Sequence, residues 1–238
     1  MNVNFFDYKI ESNKSFLHDL FYSKKSINTI NPHSFIVAKN DINFNKSLIE
    51  STYLIPDGIG IIYAIKLLNG VKINRYSGAE LHHDLLEIAE SKKMKIFYMG
   101  SSNNTLNLIK KKIKSNYNNI ELDYFSPPYK NEFTQSENKL IIEKINKFSP
   151  DILFVGLTAP KQEKWINNNL QYLNIKLACG IGAVFDFYSG NIKRAPEWVM
   201  KLNLEWLHRS LISFRLFKRN FISNPKFIFF VLAKYLKK

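Results

Sequence analysis

Short apolar runs alternate along this chain with longer stretches in which apolar residues recur every three or four positions. The runs SFIVAK, TYLIPDG, VKINRY, KIFYMG, IELDYF, DILFVGL and IKLACGIG have the length and the β-branched or aromatic content of strands. Between them GIIYAIKLLNG, GAELHHDLLEIAESKK, NNTLNLIKKKIKSNY, SENKLIIEKINKF and PKQEKWINNNLQYL carry helical spacing, with Gly70 closing one helix and Asn or Ser opening others. Apolar strands alternating with helices predict an α/β fold, a mostly parallel sheet with helices on both faces.

The pattern changes after Pro196. The remaining residues offer no strand candidate and read as helical, apart from a break expected at Asn224-Pro225. The chain therefore divides into an α/β core, residues 1–195, and a basic amphipathic helical appendage, residues 196–238. Residues 201–238 hold nine Lys or Arg against one acid, Glu205, a net charge of +8 out of +14 for the whole chain. Interleaved with Trp206, Leu207, Leu211, Phe214, Phe217 and Phe221, these cations suit a segment lying on anionic lipid. They suit equally a helix pair that packs its aromatics on the sheet and solvates its charges.

With 238 residues and 45% hydrophobic content, the chain can bury one main core. The excess of positive charge calls for an anionic partner: nucleic acid, a membrane surface or a phosphorylated substrate. One cysteine, Cys179, rules out an intramolecular disulfide, and its apolar surroundings predict a buried, inert thiol. The amino terminus lacks the pattern of a signal peptide, and FIFFVLA is far too short to span a bilayer, so a cytoplasmic or peripheral location is expected.

Three strand-to-helix junctions concentrate glycine and polar residues where open α/β sheets bind ligands. In TYLIPDGIG, Asp57 stands between Pro56 and Gly58 ahead of a helix, as a general base or as the helix N-cap. In GLTAPKQEKWI, Gly156 ends the strand, and Gln162 and Glu163 follow Pro160 in the first helical turn, Glu163 suiting the helix dipole. In GIGAVFDFYSG, Gly182 opens the next junction, and Asp186 sits among phenylalanines, where it needs a donor from the protein or from a ligand. A fourth junction, FYMGSS, places Gly100 and Ser101 at a helix N-terminus suited to phosphate. No dinucleotide fingerprint, zinc cluster, Walker loop, GxSxG elbow or DxD pair is present.

The blocks INTINPHSFIVAKND, LIPDGIGIIYA, NRYSGAEL, FYMGSS, VGLTAPKQEKWI, GIGAVFDFYSGNIKRAPEW and LEWLHRSLISFRLFKR together resemble the WecG/TagA/CpsF family of bacterial glycosyltransferases. They run in family order over roughly residues 27–220. The resemblance implies an inverting, metal-independent enzyme without a cofactor, built on a Rossmann-like core over residues 1–195. It would move a hexose or N-acetylhexosamine from a UDP-sugar to an undecaprenyl-diphosphate-linked saccharide during surface polysaccharide or teichoic acid synthesis. It assigns Asp57 as catalytic base, with Thr29 beside it, and Asn31 to the substrate site. Arg75, Gln162 and Asp186 fall to the donor pocket, and Gly78, Gly100, Ser101, Gly156 and Gly182 complete the substrate-binding set. Arg209, Arg215 and Arg219 match arginines expected to meet the membrane and the acceptor diphosphate. The implied partners are a UDP-sugar, a polyprenyl-diphosphate acceptor, an anionic membrane surface on the inner face of the cell membrane, and further copies of the chain. Where the family often reads Glu-Pro-Arg-Arg, this chain has Ser213, Phe214, Arg215 and Leu216, one arginine fewer.

Two other classes stand beside this reading: a basic nucleic-acid-binding α/β protein and a non-catalytic membrane scaffold. The charge gathers in one helical tail rather than in a recognised RNA or DNA module, so nucleic acid is not expected as a partner.

Overall fold

A computed structural model describes residues 2–202 and 204–237. Eight strands form one sheet: β1 (Asn2–Phe5), β2 (Tyr8–Glu11), β3 (Lys25–Ile30), β4 (Tyr53–Pro56), β5 (Lys95–Gly100), β6 (Glu121–Phe125), β7 (Ile152–Gly156) and β8 (Leu177–Gly180). Their spatial order is β1-β2-β4-β3-β8-β7-β5-β6, and every pairing except the β1–β2 hairpin is parallel. The helices are α1 (Pro32–Asn40), α2 (Ile42–Ile49), α3 (Ile59–Asn69), α4 (Gly78–Lys92), α5 (Asn103–Asn116), α6 (Gln135–Phe148), α7 (Lys161–Asn169), α8 (Gly182–Ser189), α9 (Glu197–Lys201), α10 (Glu205–Ile212) and α11 (Phe214–Tyr235).

Both faces of the sheet are covered, as expected. Along β5, Ile96 and Tyr98 join α4, α5 and α8 in one cluster, while Phe97 and Met99 join α6 and α7 in another. Strands β7 and β8 alternate likewise, so their unbroken apolar runs reflect burial on two sides. The second face carries a further cluster, in which Phe5, Phe35, Phe44 and Ile61 meet Phe227 and Val231 of α11.

Four local expectations need correction. SFIVAK is helical: Asn31 and Ser34 form a reciprocal capping box, Pro32 occupies the first turn, and Phe35, Ile36 and Ala38 are buried on one face. The strand lies just before it, in KSINTI, where buried Ser26 and Asn28 interrupt the apolar signal. VKINRY crosses between helices outside the sheet, anchored where the Tyr76 amide donates to the Pro56 carbonyl at 3.1 Å. At Pro225, α11 runs on unbroken, because Phe227 and Val231 just beyond it are held in the core. A proline inside a helix costs about 3 kcal/mol, which burial of two large side chains offsets. The amino-terminal hairpin of β1 and β2 was not anticipated either, since NVNF and YKIE mix polar and apolar residues as edge strands do.

Candidate active site

The order of strands reverses between β5 and β7. From β5 the chain passes outward to β6, and from β7 it passes inward to β8, with α5 and α7 on opposite faces. Sheets of this kind open a crevice at such a point. Gly100 and Gly156 end the two strands there side by side, with the buried Phe185 ring packed against Gly156. Gly100 has φ +117°, and a Cβ there would lie 2.3 Å from the Gly156 carbonyl oxygen, so only glycine permits this approach. The neighbouring turn is largely committed internally: the Ser101 amide donates to Gly156 at 3.2 Å, and Ser102 Oγ caps α5 by accepting from Thr105. A cavity of 160 Å³ lies beside Arg75, lined also by Glu11, Asn13, Lys14, Asn74 and Tyr76.

Asp57 follows β4 directly. Its amide donates to the Ile30 carbonyl at 2.9 Å, which ties the end of β4 to the end of β3. Helix α3 takes Gly58, with φ +116°, as its N-cap and has no side-chain capping bond, so Asp57 does not serve as the cap. The half-buried carboxyl is pushed up to about 6 by burial. Arg75 opposes that shift, Glu205 adds to it, Arg209 opposes it, and Glu80 adds a smaller push. Asp57 thus shares its surroundings with two arginines and two acids from two stretches of the chain, residues 75–80 and helix α10.

The residues around it are held by helix ends. Thr29, half-buried, pairs with Ile55 in the β3–β4 ladder. Asn31 Oδ1 accepts from the Ser34 amide at 3.0 Å, and the Asn31 side chain borders Gly58. Arg75 Nη2 stands 3.5 Å from Glu80 Oε2, and Glu80 is fixed in turn by its capping box with Ser77. Gly78, buried at the start of α4, faces Ile181 and Val184 and so brings α4 against α8.

The appendage closes over this edge. The Arg209 guanidinium lies 4.9 Å from the centroid of the Phe187 ring, a cation–π contact. Asp186 is pushed up by burial, and Arg209 opposes the push. Burial, and then the charges of Arg209 and Arg215, lower Arg219 to about 10. Arg219 also lies near His33, which burial and that guanidinium hold down at about 4, while His33 Nδ1 and Ser223 Oγ share a 2.8 Å hydrogen bond. Arg194 and Glu205 approach to 3.7 Å across the junction between core and appendage.

Gln162 and Glu163 are both buried in the first turn of α7. The Gln162 amide is engaged within the protein, accepting from the Gly182 amide at 3.1 Å and donating to Glu163 at 2.9 Å. Cys179 is buried, and burial raises its thiol well above the usual range, as expected of an inert cysteine. Sequence reasoning passed over Glu80, Arg194 and Glu205. The SGAE spacing announces Glu80 as the closing member of a capping box, and Glu205 stands out as the one acid among residues 201–238.

Among the described residues no helix is long and apolar enough to cross a membrane. Helices α10 and α11 nonetheless expose Leu211, Ile212, Phe214, Phe221 and Phe229.

Comparison with known proteins follows the same lines. The model of the Glycosyl transferase WecG/TagA/CpsF family matches residues 2–238. An N-acetylglucosaminyldiphosphoundecaprenol N-acetyl-beta-D-mannosaminyltransferase of Bacillus subtilis (strain 168) is 35% identical over 208 residues, 87% of this chain and 79% of that protein. Proteins of the same description are 29% identical in Bacillus spizizenii, over 97% of this chain and 88% of the relative, and 28% identical in Staphylococcus aureus, over 87% and 79%.

Proposed function

Since the chain belongs to the WecG/TagA/CpsF family and is a glycosyltransferase, we propose that it transfers N-acetylmannosamine or a closely related hexose from its UDP-sugar to N-acetylglucosamine carried on undecaprenyl diphosphate. The observation that carries this reading is Asp57, a carboxylate free of helix capping, raised toward neutrality and set among arginines.

Displacement at the anomeric carbon with inversion needs a base on one face of the sugar and a stabilised leaving group on the other. With its carboxyl at about 6, Asp57 is mostly ionised at neutral pH and still basic enough to accept the acceptor hydroxyl's proton. Thr29 and Asn31, at the neighbouring strand end, border the path of that hydroxyl. Arg75 and Arg209 keep Asp57 ionised despite its burial. The departing UDP gathers negative charge on its diphosphate, and Arg209, Arg215 and Arg219 supply compensating charge, with no metal step required of these residues.

The appendage joins chemistry to location. Its exposed leucines, isoleucines and phenylalanines, interspersed with cations, would seat it peripherally on the anionic inner face of the cell membrane, where a polyprenyl carrier presents its diphosphate. The nucleic-acid reading gains no support, since the same helices that carry the charge point apolar side chains outward.

A screen of UDP-sugars against a synthetic polyprenyl-diphosphate-N-acetylglucosamine acceptor, read as UDP release without added metal, tests the proposal. Acceptor-dependent release from UDP-N-acetylmannosamine is expected. Absence of release from every donor, in the presence of anionic vesicles, would overturn it.

A further inference from the structure

Helix α8 begins without a cap of its own, because Ile181 at its N-cap position has no side-chain oxygen to offer. The missing acceptor comes from another helix: Gln162 Oε1, on α7, takes the Gly182 amide at 3.1 Å. Gly182 makes room for it. A Cβ there would lie 2.6 Å from that oxygen and 3.2 Å from the Thr158 backbone nitrogen.

A glutamine amide can enter such a position either way round, and in the wrong orientation its NH₂ would face the Gly182 N–H, donor against donor. Glu163 removes the ambiguity. Its Oε1 accepts from Gln162 Nε2 at 2.9 Å, which turns the amide nitrogen toward Glu163 and the oxygen toward α8. Glu163 is 1% exposed, and its other oxygen, Oε2, is buried with no hydrogen-bond partner. A buried polar side chain with an unsatisfied oxygen costs folding free energy, so stability alone does not account for this oxygen acceptor beside Gln162. Burial pushes it up to about 7, against the opposing bond from Gln162. On the adjacent strand Asn28 Oδ1 is likewise buried and unpartnered, and it too borders the β8 end, 2.5 Å from where a Cβ of Gly180 would sit.

Asp186 lies four residues beyond Gly182, one turn along the same face of α8, and Phe187 follows it. Arg209 stacks on the Phe187 ring, and its charge acts on the neighbouring Asp186. We propose that Glu163 is a positioning residue for transfer: by orienting the Gln162 amide it fixes the first turn of α8, and with it the Phe187 ring on which Arg209 stacks. The inference deepens the reading of this edge as the site of glycosyl transfer and rests on it.

The test uses the full chain with Glu163→Ala and Glu163→Gln. Two quantities are measured: steady-state UDP release with UDP-N-acetylmannosamine and the synthetic acceptor, and hydrogen exchange of the α8 amides without substrates. Misplacement remote from the reacting atoms typically costs up to about 100-fold in rate, so kcat of E163A is expected to fall by about 10–100-fold, more than KM rises. Its α8 amides should exchange faster. In E163Q the amide oxygen still accepts from Gln162, so both quantities should return close to wild type. Wild-type kcat and exchange in E163A would overturn the inference, as would an E163Q impaired as deeply as E163A. Should E163A fail to fold, Glu163→Asp, whose carboxyl falls short of Gln162, carries the same expectation and the same refutation. If the wild-type chain releases no UDP from any donor, the transfer reading fails by itself, and the exchange measurement still decides whether Glu163 holds α8.

Discussion

At the β5–β7 end of the sheet, Gly100 and Gly156 approach so closely that the turn's own groups are consumed: the Ser101 amide bonds to Gly156, and the Ser102 hydroxyl caps α5. At the β3–β4 end, Asp57 leaves the capping of α3 to Gly58 and turns up among Arg75, Glu205 and Arg209. Both ends present glycines and polar side chains at the carboxyl edge of a parallel sheet, and both looked like ligand sites in the sequence. The difference teaches that a strand-end position nominates a residue, while freedom from local hydrogen bonding is what leaves it available for chemistry.

The sharpest way to break this contrast is to neutralise each end in turn. Asp57→Asn should bind UDP-sugar nearly as well as wild type and lose about 10²–10⁴-fold in kcat, the usual worth of a general base, by single-turnover measurement. Arg209→Ala should lose about 10²–10³-fold, on the scale of one removed transition-state donor, with Arg215→Ala and Arg219→Ala showing whether the load is shared. Ser101→Ala, at the other end, should leave kcat/KM close to the wild-type value, because the backbone amide of Ser101 and not its hydroxyl makes the bond to Gly156. A large loss there would collapse the distinction.

Stability offers a second contrast, between the two halves of the appendage. Phe227 belongs to the core, so Phe227→Ala should cost about 3–5 kcal/mol in chemical denaturation. Phe221, 71% exposed, should cost little when changed to Ala, while weakening attachment to anionic vesicles. Removing residues 200–238 therefore tests folding as much as catalysis, and point substitutions are the cleaner probe.

Much of the architecture was legible because β4, β5, β7 and β8 are buried on both faces and read as plain apolar runs. What escaped notice has physical causes. Strand β3 was hidden by Ser26 and Asn28, which are buried polar residues, and α1 was mistaken for a strand because its aromatic and β-branched residues outweighed the Asn31-Pro32 start signal. Proline's usual effect at 225 was overridden by packing that no local window contains. At the site, Asp57 was visible from its place between Pro56 and Gly58. The partners that set its ionisation, Glu205 and Arg209, lie about 150 residues away in the chain and meet it only through the fold. The same holds for Glu163, which does stand in the first turn of α7 as its position suggested, but whose burial and bond from Gln162 only the fold shows.

Burial makes ionisation of Asp57 costly in the folded state. Its raised value implies that the folded protein binds this proton more tightly than the unfolded chain, so this group's contribution to stability declines as pH rises from about 4 to about 6. Activity should run the opposite way, since the base works only once ionised. The most direct measurement is therefore the pH dependence of kcat/KM for wild type and Asp57→Asn between pH 5 and 8. The wild-type rate is expected to rise with a single ionisation near 6 and the variant's small residual rate to lack that limb. The same limb in Asp57→Asn, or wild-type turnover by that variant, would contradict the assignment of Asp57 as the base.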